Sequence, residues 1–400
     1  MKINEASLRE IKDSRGELTI EIGIKTKDGE FFAQIPSGKS RGSREATVFL
    51  PGKAREVLGS IGKELIGRDF ESIEDFDFFL LGLDGTPNKS KLGGNLMLGL
   101  SLSFARSLAK ENNFELWQIL KKEFFPNNGE SKSPRIFSNF IEGGVHTDNN
   151  LDIQEFLVVA ESKEGAAMTY RKLAEFYKSV GEALKGKYNF SSLKLGDEGG
   201  YSLYFKNNFE PIELLGEEIK RARLAGEFSL GLDAAASSFY KGGHYVFEAK
   251  ELTSDGLKEV YSDYFRKAPF LNSIEDPFDE NDSEGFAGLR RDWGDKLIIG
   301  DDLTVTNAKL IRENSQKKLI NGVIIKPNQI GTVSETCEAI NAAYDSGLQR
   351  IISHRSGETP DNFLVHFAKA AGAEGLKIGA PARERVAKFD EFVRSCMQNL

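Results

Sequence analysis

The sequence predicts an α/β protein in which a small α+β domain precedes a barrel of alternating strands and helices. Short apolar runs rich in β-branched residues recur through the second half of the chain, and each ends abruptly in a charged or polar residue. Helix-like segments separate these runs, as expected for buried parallel strands joined by crossover helices. Near the N-terminus the pattern differs: Leu18, Ile20, Ile22 and Ile24 alternate with polar residues, the period of a half-buried strand.

Residues 7–36 read as antiparallel strands, with Asp28-Gly29 as the turn before a strand over 30–35. The glycine- and serine-rich stretch 36–43 suits a mobile lid, an anion cradle or a plain solvated loop equally. Helical patterns cover about 53–66 and 92–110. The polar stretch 126–134, with breakers at both ends, marks the border between an N-terminal domain over 1–130 and a barrel domain over 131–400. Beyond it, apolar runs end at Asp233, Glu275, Asp301, Lys326, His354 and Gly379, with helix patterns at 307–318, 333–344 and 361–371. Such alternation predicts a β/α barrel, whose functional groups gather where the strands end.

A formal charge of −8 and the lack of a basic stripe argue against nucleic-acid binding. No apolar run approaches the roughly 18 residues of a membrane span, and the N-terminal residues lack a signal-peptide core. Cys337 and Cys396 are the only cysteines, which excludes a disulfide framework and points to a reducing cytoplasm. They lack metal-ligand spacing and read as inert thiols.

Asp233, Glu275 and Asp301 stand on successive strand ends, where three carboxylates repel unless a cation neutralises them. All-oxygen donors favour a hard ion such as Mg²⁺. A single strand-end Asp is equally explained as a helix N-cap, but three in succession favour ligation. Lys326 closes another strand, where partly apolar surroundings and neighbouring positive charge can let a lysine lose its proton and act as a general base. With Lys377 on a later strand, the pair suggests one base and one charge stabiliser; alone, each also fits an exposed strand-end lysine. Gly196-Asp197-Glu198-Gly199-Gly200 sets an acid among glycines, which permit close backbone approach to a ligand, although an ordinary acidic turn has the same letters. The run from Ser353 to Glu358 offers phosphate donors in Arg355 and Ser356, with local Arg355–Glu358 pairing as the alternative. His146 follows Gly143-Gly144, where a lone loop histidine is more often structural. His244 and His366 have no such company.

The combination resembles the enolase (phosphopyruvate hydratase) family over nearly the whole chain. The resemblance rests on Asp13-Ser14-Arg15-Gly16, the 36–46 loop, Asp84-Gly85-Thr86 with Asn88-Lys89-Ser90-Lys91-Leu92-Gly93, and Asp152-Ile153-Gln154-Glu155-Phe156. It continues through 196–200, Ser273-Ile274-Glu275-Asp276-Pro277-Phe278, 301–307, 326–332, 353–359 and 377–383, in the family's order. It implies a modified (β/α)8, TIM-like barrel whose first strands break the plain alternation. The implied activity is Mg²⁺-dependent interconversion of 2-phosphoglycerate and phosphoenolpyruvate in the cytoplasm, by a homodimer or a ring of dimers. By the same resemblance Asp233, Glu275 and Asp301 match the ligands of a first Mg²⁺. Ser40 lies in the loop that completes a second Mg²⁺ site, filled with substrate. Lys326 matches the base at C2 and Glu198 the acid at the C3 hydroxyl. Lys377 matches the substrate-carboxylate contact, and Arg355 and Ser356 match phosphate contacts. His146, Gln154, Glu155 and His354 complete the pocket. Superfamily members acting on other carboxylates generally lack the paired signatures around Glu198 and Ser353–Gly357. The loop departs from the usual Ser-Gly-Ala-Ser-Thr-Gly, reading Ser37-Gly38-Lys39-Ser40-Arg41-Gly42 with two added cations.

Overall fold

The alternating N-terminal residues build an antiparallel sheet, β1 (Glu5–Lys12), β2 (Leu18–Thr26) and β3 (Gly29–Gln34), in the order β1-β2-β3. Ile20, Ile22 and Ile24 are buried, facing the helices α1 (Pro51–Leu65) and α3 (Gly94–Glu111), while α2 (Ile73–Asp84) and α4 (Leu116–Phe124) pack on α3. This computed structural model describes residues 1–39, 42–127 and 133–397. α3 lies so close to the sheet that a Cβ on Gly99 would come within 2.3 Å of Ile22. α2 has no counterpart in the sequence reading. Its phenylalanines fall on the buried and the solvent side alike, Phe76 at 0% exposure and Phe78 at 77%, which blurs the helical period.

The second domain opens with β4 (Arg135–Glu142), β5 (Glu155–Ala160) and α5 (Ala166–Tyr188). A short pair, β6 (Lys194–Leu195) and β7 (Tyr201–Ser202), precedes α6 (Glu210–Arg221) and β8 (Phe228–Asp233). A small sheet of β9 (Tyr240–Lys241), β10 (His244–Phe247) and β11 (Lys250–Leu252) follows. Regular alternation then runs through α7 (Ser254–Lys267), β12 (Leu271–Glu275), α8 (Ser283–Asp292), β13 (Leu297–Gly300), α9 (Ala308–Gln316) and β14 (Gly322–Ile325). It ends with α10 (Pro327–Ile330), α11 (Val333–Asp345), β15 (Gln349–Ser353), α12 (Phe363–Ala371), β16 (Gly375–Lys377) and α13 (Val386–Met397).

Eight strands close into a ring in the order β4-β5-β8-β12-β13-β14-β15-β16, with β16 pairing back onto β4. All the ring pairings are parallel except those of β5, which runs antiparallel to β4 and β8. An antiparallel pair needs no crossover helix, so a loop suffices between β4 and β5. The reversal also brings the first residue of β5 to the rim where the other strands end. Phe137, Leu157, Val159, Leu297, Ile299, Ile324 and Ile351 fill the barrel interior, leaving polar chemistry to that rim. The strand-end acids do not cap the helices that follow them: Thr253, Asp282 and Asn307 cap α7, α8 and α9. Both cysteines are free, Cys337 buried, and no helix among the described residues is long and apolar enough to cross a membrane.

Polar contacts dock the first domain on the barrel. Arg106 of α3 donates to both oxygens of Asp361, at 2.8 and 2.5 Å, and the Gln34 N–H donates to the same carboxylate at 3.0 Å. Lys89 pairs with Glu335 at 2.5 Å, and Asn328 donates to the Pro36 carbonyl at 3.2 Å. The loop after β3 therefore lies over the rim. Burial alone would raise the Asp361 pKa, but Arg106 and the N–H donors hold it below its ordinary value. The stabilisation is thus present above the unfolded carboxyl value of about 4 and lost as pH falls through the lower folded value. Arg106→Ala should cost about 3–5 kcal/mol at pH 7, read as a lower denaturant midpoint. The gap to the unsubstituted protein should narrow in acid; an equal gap at pH 3 and pH 7 would contradict this.

Candidate active site

Strand register sets the charged residues side by side. Glu155 lies opposite Asp233, and Asp233 opposite Glu275. Directly opposed residues project from the same face with Cβ atoms roughly 5 Å apart, so three carboxylates form a row. Lys377, four strands round the ring from β12, meets all three. Its Nζ is 3.0 Å from Glu155 Oε2, 3.0 Å from Asp233 Oδ2 and 2.7 Å from Glu275 Oε2. Burial alone would lower the Lys377 pKa, but these acids hold it well above its ordinary value. Burial and the Asp233 charge push the Glu275 carboxyl well up.

Asp301 follows β13 and Lys326 follows β14, and the Lys326 ammonium donates to Asp301 Oδ2. Gln329 donates to the other Asp301 oxygen at 3.0 Å. The expected release of the Lys326 proton by its surroundings is not what the free protein shows. Burial does lower this pKa, but Asp301 outweighs it and the ammonium is held above its ordinary value. The two oxygens of Asp276 accept the N–H groups of Asp301 and Asp302, at 2.9 and 2.7 Å, and so shape the turn beyond β13. Among the described residues, Asp276, Asp301 and Asp302 bring one oxygen each within 4.8 Å of one another, and His146, Glu155 and Glu198 form a second such group. Asp233 and Glu275 are joined instead through Lys377, so the two ammonium groups stand among the three expected ligands.

The opposite wall carries Glu198, on the turn between β6 and β7. Asn139 donates to Glu198 Oε2 at 3.3 Å, and His354 Nε2 lies 3.1 Å from the same oxygen. His146 Nδ1 is 3.8 Å from Glu198 Oε1 and 3.9 Å from Glu155 Oε1. Burial pushes His354 down to about 4, so a neutral ring faces Glu198 at pH 7.

The third wall follows β15. The Arg355 guanidinium donates to the Glu45 oxygens at 3.0 and 3.2 Å and to Asn328 Oδ1 at 3.2 Å. Glu358 accepts the Arg355 main-chain N–H at 3.1 Å, so the local pairing runs through the backbone while the guanidinium turns to Glu45. Gly38 lies against that guanidinium; a Cβ there would come within 1.8 Å of Nη2. Ser356 Oγ accepts the Lys39 N–H at 2.9 Å, and Lys39 Nζ is 3.2 Å from Asp197. Ser40 and Arg41 lie outside the described residues.

These walls form one pocket, lined by His146, Gln154, Glu155, Glu198, Asp233, Asp301, Lys326, His354, Arg355, Ser356 and Lys377 among others. Glu275 stands one contact further in, on Lys377. Glu45, Asn139, Asp276 and Asp302 are additions to the residues expected from sequence. Glu45 lies inside a stretch that carries the resemblance, but nothing in its local pattern marks it; Asp302 stands beside Asp301 at the same strand end, although the sequence reading assigns it no role. Asn139 is hidden within an apolar strand. Buried Glu275 Oε1, Gln154 Oε1, His146 Nδ1 and His354 Nδ1 find no hydrogen-bond partner. Unpaired buried polar atoms are costly, and the unpaired Glu275 oxygen beside Asp233 is the kind of donor that a hard divalent cation takes.

Family models match both parts of the chain. The enolase N-terminal domain covers residues 3–120, and the enolase C-terminal TIM barrel domain covers residues 132–398. The chain belongs to the enolase family. The enolase of Elusimicrobium minutum is 36% identical over 406 residues, covering 98% of this chain and 95% of that protein. The enolase of Thermococcus gammatolerans is 38% identical over 410 residues, covering 98% and 94%, and that of Methanopyrus kandleri is 38% identical over 411 residues, covering 98% and 95%. Enolases use a divalent metal, and the carboxylates on this rim are of the kind that hold one. Lys377→Met would leave Glu155, Asp233 and Glu275 buried without their ammonium. In EDTA at pH 7 its denaturant midpoint should fall by the equivalent of about 3–5 kcal/mol. An unchanged midpoint would show that this lysine does not hold the acids together.

Proposed function

We infer that this protein catalyses the reversible dehydration of 2-phosphoglycerate to phosphoenolpyruvate, the enolase reaction of glycolysis and gluconeogenesis. The observation that carries this reading is the meeting, at one buried pocket, of Asp233, Asp301, Lys326, Lys377 and the phosphate-type donors Arg355 and Ser356, with Glu275 directly behind Lys377. In our reading Asp233, Glu275 and Asp301 hold a Mg²⁺ ion. A second Mg²⁺ would be held together with substrate, at a site that the loop carrying Ser40 would complete. When bound, the metal would supply Lewis-acid charge for the substrate carboxylate, and Asp301, engaged as its ligand, would hold the Lys326 proton less tightly.

The residues then divide the work. Arg355 and Ser356 bind the phosphate, and Lys377 binds the carboxylate. His146, Gln154, Glu155 and His354 line the remaining wall and exclude bulk water. Lys326, as the neutral amine, takes the proton from C2 and becomes an ammonium. The electron pair left on C2 spreads into the carboxylate, where Lys377 offsets the added negative charge. Burial alone would raise the Glu198 carboxyl, but His354 and His146 hold it well below its ordinary value in the free protein. Once protonated in the substrate complex, Glu198 gives that proton to the C3 hydroxyl, which leaves as water while the C2–C3 double bond forms. The acid and the base come from different strand ends, Glu198 from the β6–β7 turn and Lys326 from β14. We place the enzyme in the cytoplasm as a homodimer or ring of dimers, with its domains divided at 130/131.

With Mg²⁺ and 2-phosphoglycerate, the purified protein should raise the enol-phosphate absorbance, and EDTA should abolish the rise. No signal at saturating substrate and metal would remove this reading. Exchange of the C2 proton with solvent deuterium separates the two roles. Glu198→Gln should keep exchange while losing product by about 10²–10⁴-fold, and Lys326→Ala should lose both. The reverse pattern would exchange the roles of acid and base.

A further inference from the structure

Glu142 closes β4 and is fully buried, yet the reaction above gives it no role. Its carboxylate faces the backbone of the turn that carries Glu198. Glu142 Oε1 accepts the Gly200 N–H at 2.6 Å and the Glu198 N–H at 3.0 Å, and Oε2 lies 3.3 Å from the Glu198 nitrogen. The turn is shaped around this side chain. A Cβ on Gly196 would come within 2.1 Å of Glu142 Oε2, and a Cβ on Gly200 within 2.9 Å of Glu142 Cγ. Gly199, between them, has φ +87°, a left-handed conformation that glycine adopts without strain. Two of the three glycines that flank Asp197-Glu198 in the sequence are therefore clearance for Glu142.

We propose that Glu142 is a positioning residue that holds the Glu198 turn against the pocket; this rests on the reading of Glu198 as the proton donor. β4 then grips the acid twice, Asn139 at its carboxylate and Glu142 at its main chain. Without Glu142, two buried N–H groups lose their acceptor, and such groups find other partners only if the backbone moves. The arrangement is held at some electrostatic cost. Burial and the charge of Glu198 push the Glu142 carboxyl up to about 8, against the pull of the turn N–H groups and of Arg385. A carboxyl retained under that pressure acts here through the hydrogen bonds it accepts.

The test uses the full-length protein with Mg²⁺ and 2-phosphoglycerate and measures two rates, C2 proton–deuterium exchange and product formation. Exchange needs Lys326 but not Glu198. Displacing the acid by about 1 Å costs about 10²-fold, so Glu142→Ala should lower product formation by that factor. KM should stay within about twofold and exchange within about threefold. Glu142→Gln keeps one acceptor oxygen and loses the other, and should restore most of the lost rate while still raising the exchange-to-product ratio several-fold. It has the same shape as the native side chain and carries the test if the alanine variant does not fold. A ratio unchanged in Glu142→Gln, with the unsubstituted protein active, overturns the proposal alone. So does an equal loss of both rates. If the unsubstituted protein shows neither rate, the proposal falls together with the function it rests on.

Discussion

Everything on the rim depends on one ammonium held among three carboxylates whose spacing the sheet imposes. Glu155, Asp233 and Glu275 are neighbours by register, so their side chains have no freedom to separate. In a buried place their mutual repulsion would be severe. Lys377 reaches them from the far side of the ring because the barrel is closed. Its charge and theirs are mutually required, which explains why burial does not neutralise the lysine. Two carboxylate oxygens facing one cation, with a third acid close by, are also what a divalent ion needs. The same repulsion makes the site costly to fold and able to bind metal.

The other walls are built by different means. Glu198 is not on a barrel strand at all; a two-residue pair beside β4 carries its turn, and β4 holds that turn through two side chains, Asn139 at the Glu198 carboxylate and Glu142 at the Glu198 and Gly200 N–H groups. Arg355 is oriented by Glu45, which belongs to the N-terminal domain, and Gly38 of the same domain lies on its guanidinium. The pocket is therefore completed only when the domains dock. The Arg106–Asp361 pair, though it touches no pocket residue, belongs to the contacts that set this geometry.

Much of this was legible in the letters, for reasons that differ by element. The antiparallel N-terminal sheet showed itself through the period of Leu18, Ile20, Ile22 and Ile24. The six later barrel strands showed themselves through short apolar runs, four of them ending in Asp, Glu or Lys. β4 and β5 did not, because their reversed pairing removes the helix that would have separated them. Helix α2 was lost for another reason, since Phe78 breaks the apolar stripe by facing solvent. Among site residues, the strand-end acids and lysines stood out because burial next to charge is a conspicuous pattern. Glu45 and Asn139 did not, because a loop glutamate and a strand asparagine become informative only when their partners are known.

Sequence alone thus determined which residue types close each strand, and with them the kind of chemistry the rim supports. Hydrophobic period and chain order suffice for that, because both are local properties. Tertiary structure decided which charges meet. Lys377 faces Asp233 across 144 positions of sequence, Arg355 faces Glu45 across 310, and Glu142 reaches the Glu198 turn across 56. It also decided which way the Lys326 pKa moves, where direct contact with Asp301 outweighs the burial that would have lowered it. Pairings of that kind are set by ring closure and domain docking, and no local pattern in the chain encodes them.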